Sequence, residues 1–131
     1  MGVRERYARR PPMPPDVIQR LAGLEALFRR HPVRLAYLCG SIARGDPCAA
    51  DVDLAVLPEE DLSLPQLYAD LSLALGTDRL DLVALRSAPP GLQQEILRTR
   101  RCLFARSEVE RQTFEQRVRD TARDARARIL A

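Results

Sequence analysis

Short β-compatible runs alternate with segments of helical periodicity along this chain. The predicted strands are Val33–Cys39, Asp51–Leu57, Arg79–Leu85 and Cys102–Ala105. The predicted helices cover residues 15–30, 63–75 and 91–99, and the last runs from Ser107 to near the C-terminus. Strands and helices that alternate in this way must pack a sheet against helices to bury their apolar faces. The pattern therefore predicts an α/β domain.

Charge divides the chain into three parts. Residues 1–30 carry a net charge of +4, residues 31–97 carry −6 and residues 98–131 carry +5. Residues 1–15 contain four prolines in their last five positions, which forbids a regular helix, so we expect a basic, proline-rich N-terminal arm. The remaining residues, 16–131, have the length of a single domain that ends in a C-terminal helix.

The residue types exclude several kinds of chemistry. All 21 basic residues are arginine, which excludes Walker A phosphate binding and Schiff-base catalysis within this chain. There is one histidine, and the three cysteines form no CxxC pair, so a zinc site or a disulfide framework is not expected. The longest run without charge, Leu35–Ala43, has nine residues, and no apolar signal core is present, so we expect a cytoplasmic protein.

Carboxylates mark the start of the second and third predicted strands. Asp51 and Asp53 are two residues apart, so their side chains project from the same face of a strand. Two neighbouring carboxylates repel each other unless a cation joins them, and such oxygen ligands suit Mg²⁺, with Mn²⁺ as a substitute. If the third strand lies beside the second, Asp81 completes a triad that could hold two metal ions. Asp78 is the alternative third carboxylate, although it reads better as a turn residue after Gly76.

Small residues follow the first predicted strand. Gly40 permits close approach of the backbone to a ligand, and Ser41 offers a hydroxyl where a short helix could begin. Arg44 adds a planar cation one turn later. A phosphate-binding turn beside a metal site predicts a nucleoside triphosphate bound with Mg²⁺.

The segment from Leu38 to Val56 resembles the minimal nucleotidyltransferases (MNT) of the DNA polymerase β-like superfamily. The superfamily pattern is Gly-Ser, about nine residues, then Asp-x-Asp, and here Ile42–Ala50 supplies nine residues between Ser41 and Asp51. The Arg79–Leu85 strand is similar to the superfamily's third-carboxylate strand. The tail, with Arg101-Cys102-Leu103-Phe104-Ala105-Arg106, Arg111 and Phe114-Glu115, is similar to that of MNT antitoxins paired with HEPN-domain toxins.

The resemblance implies a small mixed sheet flanked by helices and a mechanism with two Mg²⁺ ions. It implies that Gly40 and Ser41 grip the β- and γ-phosphates of ATP with support from Arg44. It also implies that Asp51 and Asp53 bind metal, and that Asp81 completes the metal-binding triad and orients or deprotonates the acceptor. The expected reaction is AMP transfer from ATP to a tyrosine of a HEPN ribonuclease toxin, which is thereby silenced.

One position departs from the family pattern. Family members commonly have serine immediately before the first metal-binding aspartate, where this chain has Ala50. An antitoxin that acts by binding alone, with a vestigial nucleotide site, is therefore an alternative. A nucleotidyltransferase that acts on nucleic acid or tRNA is another, although aromatic residues are only 5% of the chain, which leaves few aromatic side chains on which bases could stack.

Overall fold

A four-stranded mixed sheet organises the protein. The computed structural model describes residues 13–45 and 51–130, so most of the predicted N-terminal arm lies outside the described residues. The strands are β1 (Val33–Cys39), β2 (Val52–Pro58), β3 (Leu80–Ala84) and β4 (Arg101–Ala105), in the sheet order β3-β2-β1-β4. β1 is antiparallel to both β2 and β4, whereas β2 and β3 are parallel. The predicted fold class is confirmed.

Six α-helices accompany the sheet in the described part of the chain. They are α1 (Val17–Ala22), α2 (Glu25–Arg30), α3 (Gly40–Ala43), α4 (Leu64–Leu75), α5 (Pro90–Thr99) and α6 (Glu108–Leu130), and a 3₁₀ turn covers Leu85–Ser87. None of the helices in the described ranges is long and apolar enough to cross a membrane.

The prediction of one continuous helix over residues 15–30 is wrong. The structure interrupts it at Gly23, whose backbone N–H donates to the Arg20 carbonyl, three residues back, at 3.1 Å. Glycine is a poor residue for a helix interior because it loses more backbone freedom than other residues. The interruption leaves Leu24 and Phe28 buried, so the second helix still packs its apolar side against the sheet.

Helix α4 begins and ends as its sequence predicts. The Ser63 hydroxyl accepts a hydrogen bond from the Gln66 backbone N–H at 3.3 Å, which caps the N-terminus. Gly76 has a φ of 71° at the C-terminus, in the left-handed region that favours glycine. These local signals place the helix directly before β3.

The core has two layers, one on each face of the sheet. Side chains alternate along β1, so Ala36 and Leu38 face α1, α2 and α4, while Leu35, Tyr37 and Cys39 face α5 and α6. The same alternation on β2 turns Asp53, Ala55 and Leu57 towards the α5–α6 side. The carboxylate of Asp53, a predicted site residue, therefore lies on the face that α5 and α6 cover.

A buried polar network joins α6 to the centre of the sheet. Glu115 on α6 is 3% exposed and accepts a hydrogen bond from the Tyr37 hydroxyl at 3.0 Å. The same carboxylate pairs with Arg111 at 2.9 Å and with Arg100. Because the buried charge has three donors, α6 is held in one position against β1.

Candidate active site

The parallel pairing of β2 and β3 brings two predicted site residues to neighbouring positions. Asp53 lies opposite Asp81 in the register of these strands. Val52, one residue earlier, donates its backbone N–H to the Arg79 carbonyl at 2.8 Å, which fixes where the pairing starts. The third strand therefore lies beside the second, as the predicted carboxylate triad requires.

Asp51 lies immediately before β2 and is half-buried, like Asp53. The pKa of Asp53 is raised above its usual range, first by burial and then by the negative charges of Asp81 and Asp51. Arg44 acts in the opposite direction on the pKa of Asp53. The three carboxylates therefore form one electrostatic unit, in which a cation would relieve the mutual repulsion.

Gly40 connects β1 to α3 with a backbone that favours glycine. Its φ is 70°, and a Cβ at this position would lie 2.1 Å from Asp53 Oδ2. Ser41 follows in the first turn of α3 and is half-buried. The predicted phosphate-binding turn therefore lies against one of the predicted metal-binding carboxylates, that of Asp53.

A cleft of about 250 Å³ opens between this turn and helix α5. Its lining includes Gly40, Arg44, Asp53 and Asp81, but neither Ser41 nor Asp51. Arg44 is exposed at the C-terminal end of α3. Four of the six residues chosen from the sequence therefore share one cleft.

Sequence reasoning missed the opposite wall of the cleft. Helix α5 contributes Leu92, Glu95, Ile96 and Thr99 to the lining. Their spacing of three and four residues puts them on one face of a helix, which is the signal that could have found them. Leu92 is 42% exposed, so the wall presents apolar surface to whatever enters the cleft.

Cys39 also lines the cleft but is a poor candidate for nucleophilic chemistry. Burial raises the pKa of its thiol to about 11, and the charges of Asp53 and Asp81 add to the effect. A thiol with such a pKa stays protonated near neutral pH.

The alternative third carboxylate, Asp78, lies outside the cleft. Asp78 is exposed before β3 and does not line the cleft, and its backbone carbonyl accepts a hydrogen bond from the Tyr68 hydroxyl at 2.8 Å. It occupies the turn position expected for it. Ala50 lies outside the described residues.

The carboxylates suit a metal ion that is shared with a substrate. Within residues 13–45 and 51–130, no three His, Cys, Asp or Glu side chains converge closely enough to enclose a metal by themselves. Mg²⁺ is usually held by one or two protein carboxylates together with substrate phosphates and water. Asp53, with Asp51 and Asp81 beside it, fits that open arrangement rather than a closed protein cage.

Solved structures with the same fold include toxin–antitoxin complexes. One is an MNT antitoxin with the tri-AMPylated HEPN toxin of Shewanella oneidensis; it is 26% identical, with a TM-score of 0.65 over 86% of this chain and 91% of that chain. Another is a toxin–antitoxin structure with AMP-PNP, 27% identical, with a TM-score of 0.64 over 86% and 90% of the two chains. A protein described as a minimal nucleotidyltransferase is 34% identical, with a TM-score of 0.55 over 64% and 88%.

Family comparison covers the core of the fold. Residues 23–109 match the family described as polymerase beta, nucleotidyltransferase, a range that includes the sheet, the Gly-Ser turn and all three aspartates. Comparison with curated proteins gives no significant match. Since the family match spans well over half of the chain, the protein belongs to the polymerase β nucleotidyltransferase family.

Proposed function

We propose that this protein transfers AMP from ATP to a tyrosine hydroxyl of a HEPN ribonuclease toxin, and that it acts in this way as an antitoxin. The observation that carries the proposal is the pairing of Asp53 with Asp81 beside the Gly40 turn, in a chain of nucleotidyltransferase fold. The similar complex of an MNT antitoxin with a tri-AMPylated HEPN toxin supports the partner and the transferred group. The similar structure with AMP-PNP supports an adenine nucleotide as the donor.

Two Mg²⁺ ions are the proposed cofactor, bound by Asp51, Asp53 and Asp81 together with the triphosphate. When bound, Mg²⁺ neutralises phosphate charge and stabilises the charge that develops during transfer. In the chain itself, burial raises the pKa of Asp53 and the negative charges of Asp81 and Asp51 raise it further, and a divalent cation would relieve the repulsion among the three carboxylates.

The Gly-Ser turn is proposed to hold the β- and γ-phosphates. Gly40 lets the backbone pass close to Asp53, so phosphates held by the turn lie next to the metal-binding carboxylates. The Ser41 hydroxyl donates to a phosphate oxygen in this proposal. Arg44, which lines the same cleft, supplies a positive charge to the departing pyrophosphate.

Asp81 is proposed to act on the acceptor. It is exposed at the mouth of the cleft, where a side chain of another protein can reach it, and Asp53 is its neighbour. Asp81 orients or deprotonates the tyrosine hydroxyl, whose oxygen then bonds to the α-phosphorus of ATP. The bond from the α-phosphorus to the bridging oxygen breaks, and pyrophosphate leaves with that electron pair.

Labelled ATP tests the proposal. Purified protein is incubated with a HEPN toxin, tRNA, Mg²⁺, and ATP labelled at either the α- or the γ-phosphate. The proposal predicts label on the toxin from α-labelled ATP only. Label from the γ-position would indicate phosphate transfer instead, and label on tRNA would favour the nucleic-acid alternative.

A double substitution separates catalysis from binding. Asp51→Asn with Asp53→Asn removes both negative charges and nearly preserves side-chain shape. If transfer is the mechanism, this variant forms a complex with the toxin but fails to rescue cell growth. Full rescue by the variant would instead support an antitoxin that acts by binding alone.

A further inference from the structure

A second cavity lies on the same face of the sheet as the catalytic cleft, at the other end of β2. It measures about 330 Å³, within the range of ordinary small-ligand pockets, and Leu57 forms part of its wall. Asp53 and Leu57 are four residues apart on one strand, which corresponds to ~13 Å along β2. None of the residues assigned to AMP transfer lines this cavity.

Three guanidinium groups come to this cavity from three different elements. Arg34 belongs to β1, Arg86 to the 3₁₀ turn and Arg117 to α6. Arg86 and Arg117 are exposed and make no ion pair with any residue in the described ranges. Two positive charges without an ion-pair partner in the described ranges therefore line one half-open cavity.

The positive charge of the third guanidinium, that of Arg34, is only partly balanced by a carboxylate. Arg34 Nε is buried without a hydrogen-bond partner among the described residues, and it lies 3.8 Å from Glu59 Oε1. Glu59 is already paired with Arg106. Among the described residues that line the cavity, Glu110 is the only one with a carboxylate; it pairs at 2.7 Å with Arg106, which it shares with Glu59, and its Oε2 is buried without a hydrogen-bond partner in the described ranges. Three lining arginines and Arg106 are therefore set against two carboxylates. The cavity as a whole therefore favours an anion.

An irregularity in β1 contributes to this arrangement. The register of β1 against β2 shifts between Val33 and Leu35, so two residues of β1 oppose one of β2. Such a bulge redirects a side chain that strict alternation would send to the opposite face of the sheet. Arg34 accordingly lines the cavity on the α6 side, together with Leu57.

The rest of the lining suits more than an inorganic anion. Leu57, Phe114 and Val118 provide an apolar wall, and Thr113 and Thr121 provide hydroxyl groups. A ligand that suits both the arginines and this apolar, hydroxyl-bearing wall has a planar or apolar body, hydroxyl groups and at least one phosphate. A nucleoside monophosphate has this chemistry.

We propose that the cavity lined by Arg34, Arg86 and Arg117 binds the phosphate of a nucleotide, as a site separate from the catalytic cleft. Two sources share this chemistry, free AMP and a nucleotide chain that has already been attached to an acceptor. The second source rests on the proposed function, whereas binding of free AMP does not. The three arginines would hold the phosphate through charge-assisted hydrogen bonds.

Calorimetric titration without metal tests the proposal, with AMP and the dinucleotide pApA as separate probes. In the double variant Arg86→Gln and Arg117→Gln, affinity should fall about tenfold or more, because two charge-assisted contacts are lost. The matched control, Arg123→Gln with Arg128→Gln, removes the same charge from exposed positions of α6 outside the cavity and should bind like wild type. Thr113→Glu, which adds a carboxylate to the lining, should also weaken binding.

The outcomes distinguish the sources and the site. Binding of AMP supports free nucleotide as the ligand, and binding of pApA alone supports an attached chain. The proposal is overturned if neither probe binds. It is also overturned if Arg44→Gln abolishes binding while the Arg86 and Arg117 double variant retains it, since the probe would then occupy the catalytic cleft.

Discussion

Gly40 and the carboxylate of Asp53 are so close that no side chain fits between them. A Cβ on Gly40 would lie 2.1 Å from Asp53 Oδ2, and the φ of Gly40 is 70°. We predict that Gly40→Ala displaces Asp53 and lowers AMP transfer by about 100-fold or more, because small misplacements of catalytic groups have effects of that size. Steady-state transfer rates measure the effect.

Gly45→Ala is the matched control for that substitution. Gly45 also has a positive φ, 82°, but nothing lies within 4 Å of its Cβ position. Both variants should lose about 1–2 kcal/mol of stability from the unfavourable backbone conformation. Only Gly40→Ala should lose transfer beyond what its stability explains, and equal losses of activity in the two variants would contradict the contact with Asp53.

Asp81→Asn should abolish most transfer, and it should also weaken Mg²⁺-dependent ATP binding, because Asp81 is one of the three proposed metal ligands. The substitution removes the group proposed to orient or deprotonate the acceptor, and such groups contribute about 100-fold or more to rates. The control is Asp78→Asn, three residues earlier, at an exposed position outside the cleft. If Asp78→Asn were the damaging change, the third carboxylate would be misassigned.

Glu115→Ala should destabilise the fold rather than affect chemistry directly. It leaves the buried Tyr37 hydroxyl without its acceptor and leaves Arg100 and Arg111 without their shared partner. We expect a loss of about 2 kcal/mol or more in the free energy of unfolding, measured by urea denaturation. Glu108→Ala, which removes an exposed partner of Arg111, should change stability little.

Tyr37 should make the stability of the protein sensitive to alkaline pH. Burial raises the pKa of its hydroxyl, and the negative charge of Glu115 adds to the shift. The unfolded chain therefore releases this proton first, near pH 10, while the folded chain keeps it. Tyr37 makes its full contribution to the free energy of unfolding below about pH 10. That contribution declines as the pH rises towards the pKa of Tyr37 in the folded state, by up to about 1.4 kcal/mol per pH unit.

Comparison of wild type with Tyr37→Phe isolates that contribution. The variant loses the hydrogen bond to Glu115, so it should be less stable near neutral pH by about 1 kcal/mol. Its free energy of unfolding should then fall less steeply than that of wild type above about pH 10. Urea denaturation across this range measures both slopes, and parallel curves would mean that Tyr37 ionises equally in both states.

Local signals in the sequence were enough to predict most of the strands and helices. The apolar run Val33–Cys39 forms a strand with the predicted bounds, and Ser63 and Gly76 cap α4 as expected. The break at Gly23 was missed because a single glycine does not by itself decide whether a helix continues. Residues 16–131 as one domain and the arm at residues 1–15 remain predictions.

The site was predictable where it depends on strand alternation and missed where it depends on packing. The position of Asp81 beside Asp53 follows once β2 and β3 are parallel neighbours. The wall that α5 contributes depends on how that helix lies over the sheet, which no local pattern fixes. Glu115 looks like a surface residue in sequence, yet it is buried by partners from other elements, including Tyr37, which is 78 positions away.

Intact-mass measurement of the HEPN toxin tests the central claim most directly. The toxin is incubated with ATP, Mg²⁺ and either wild-type protein, Asp53→Asn or Asp78→Asn, and modified peptides are then mapped by fragmentation. The account predicts a gain of one or more AMP units on tyrosine with wild type and Asp78→Asn, and no gain with Asp53→Asn. A stable complex in which wild-type protein leaves the mass of the toxin unchanged would contradict it.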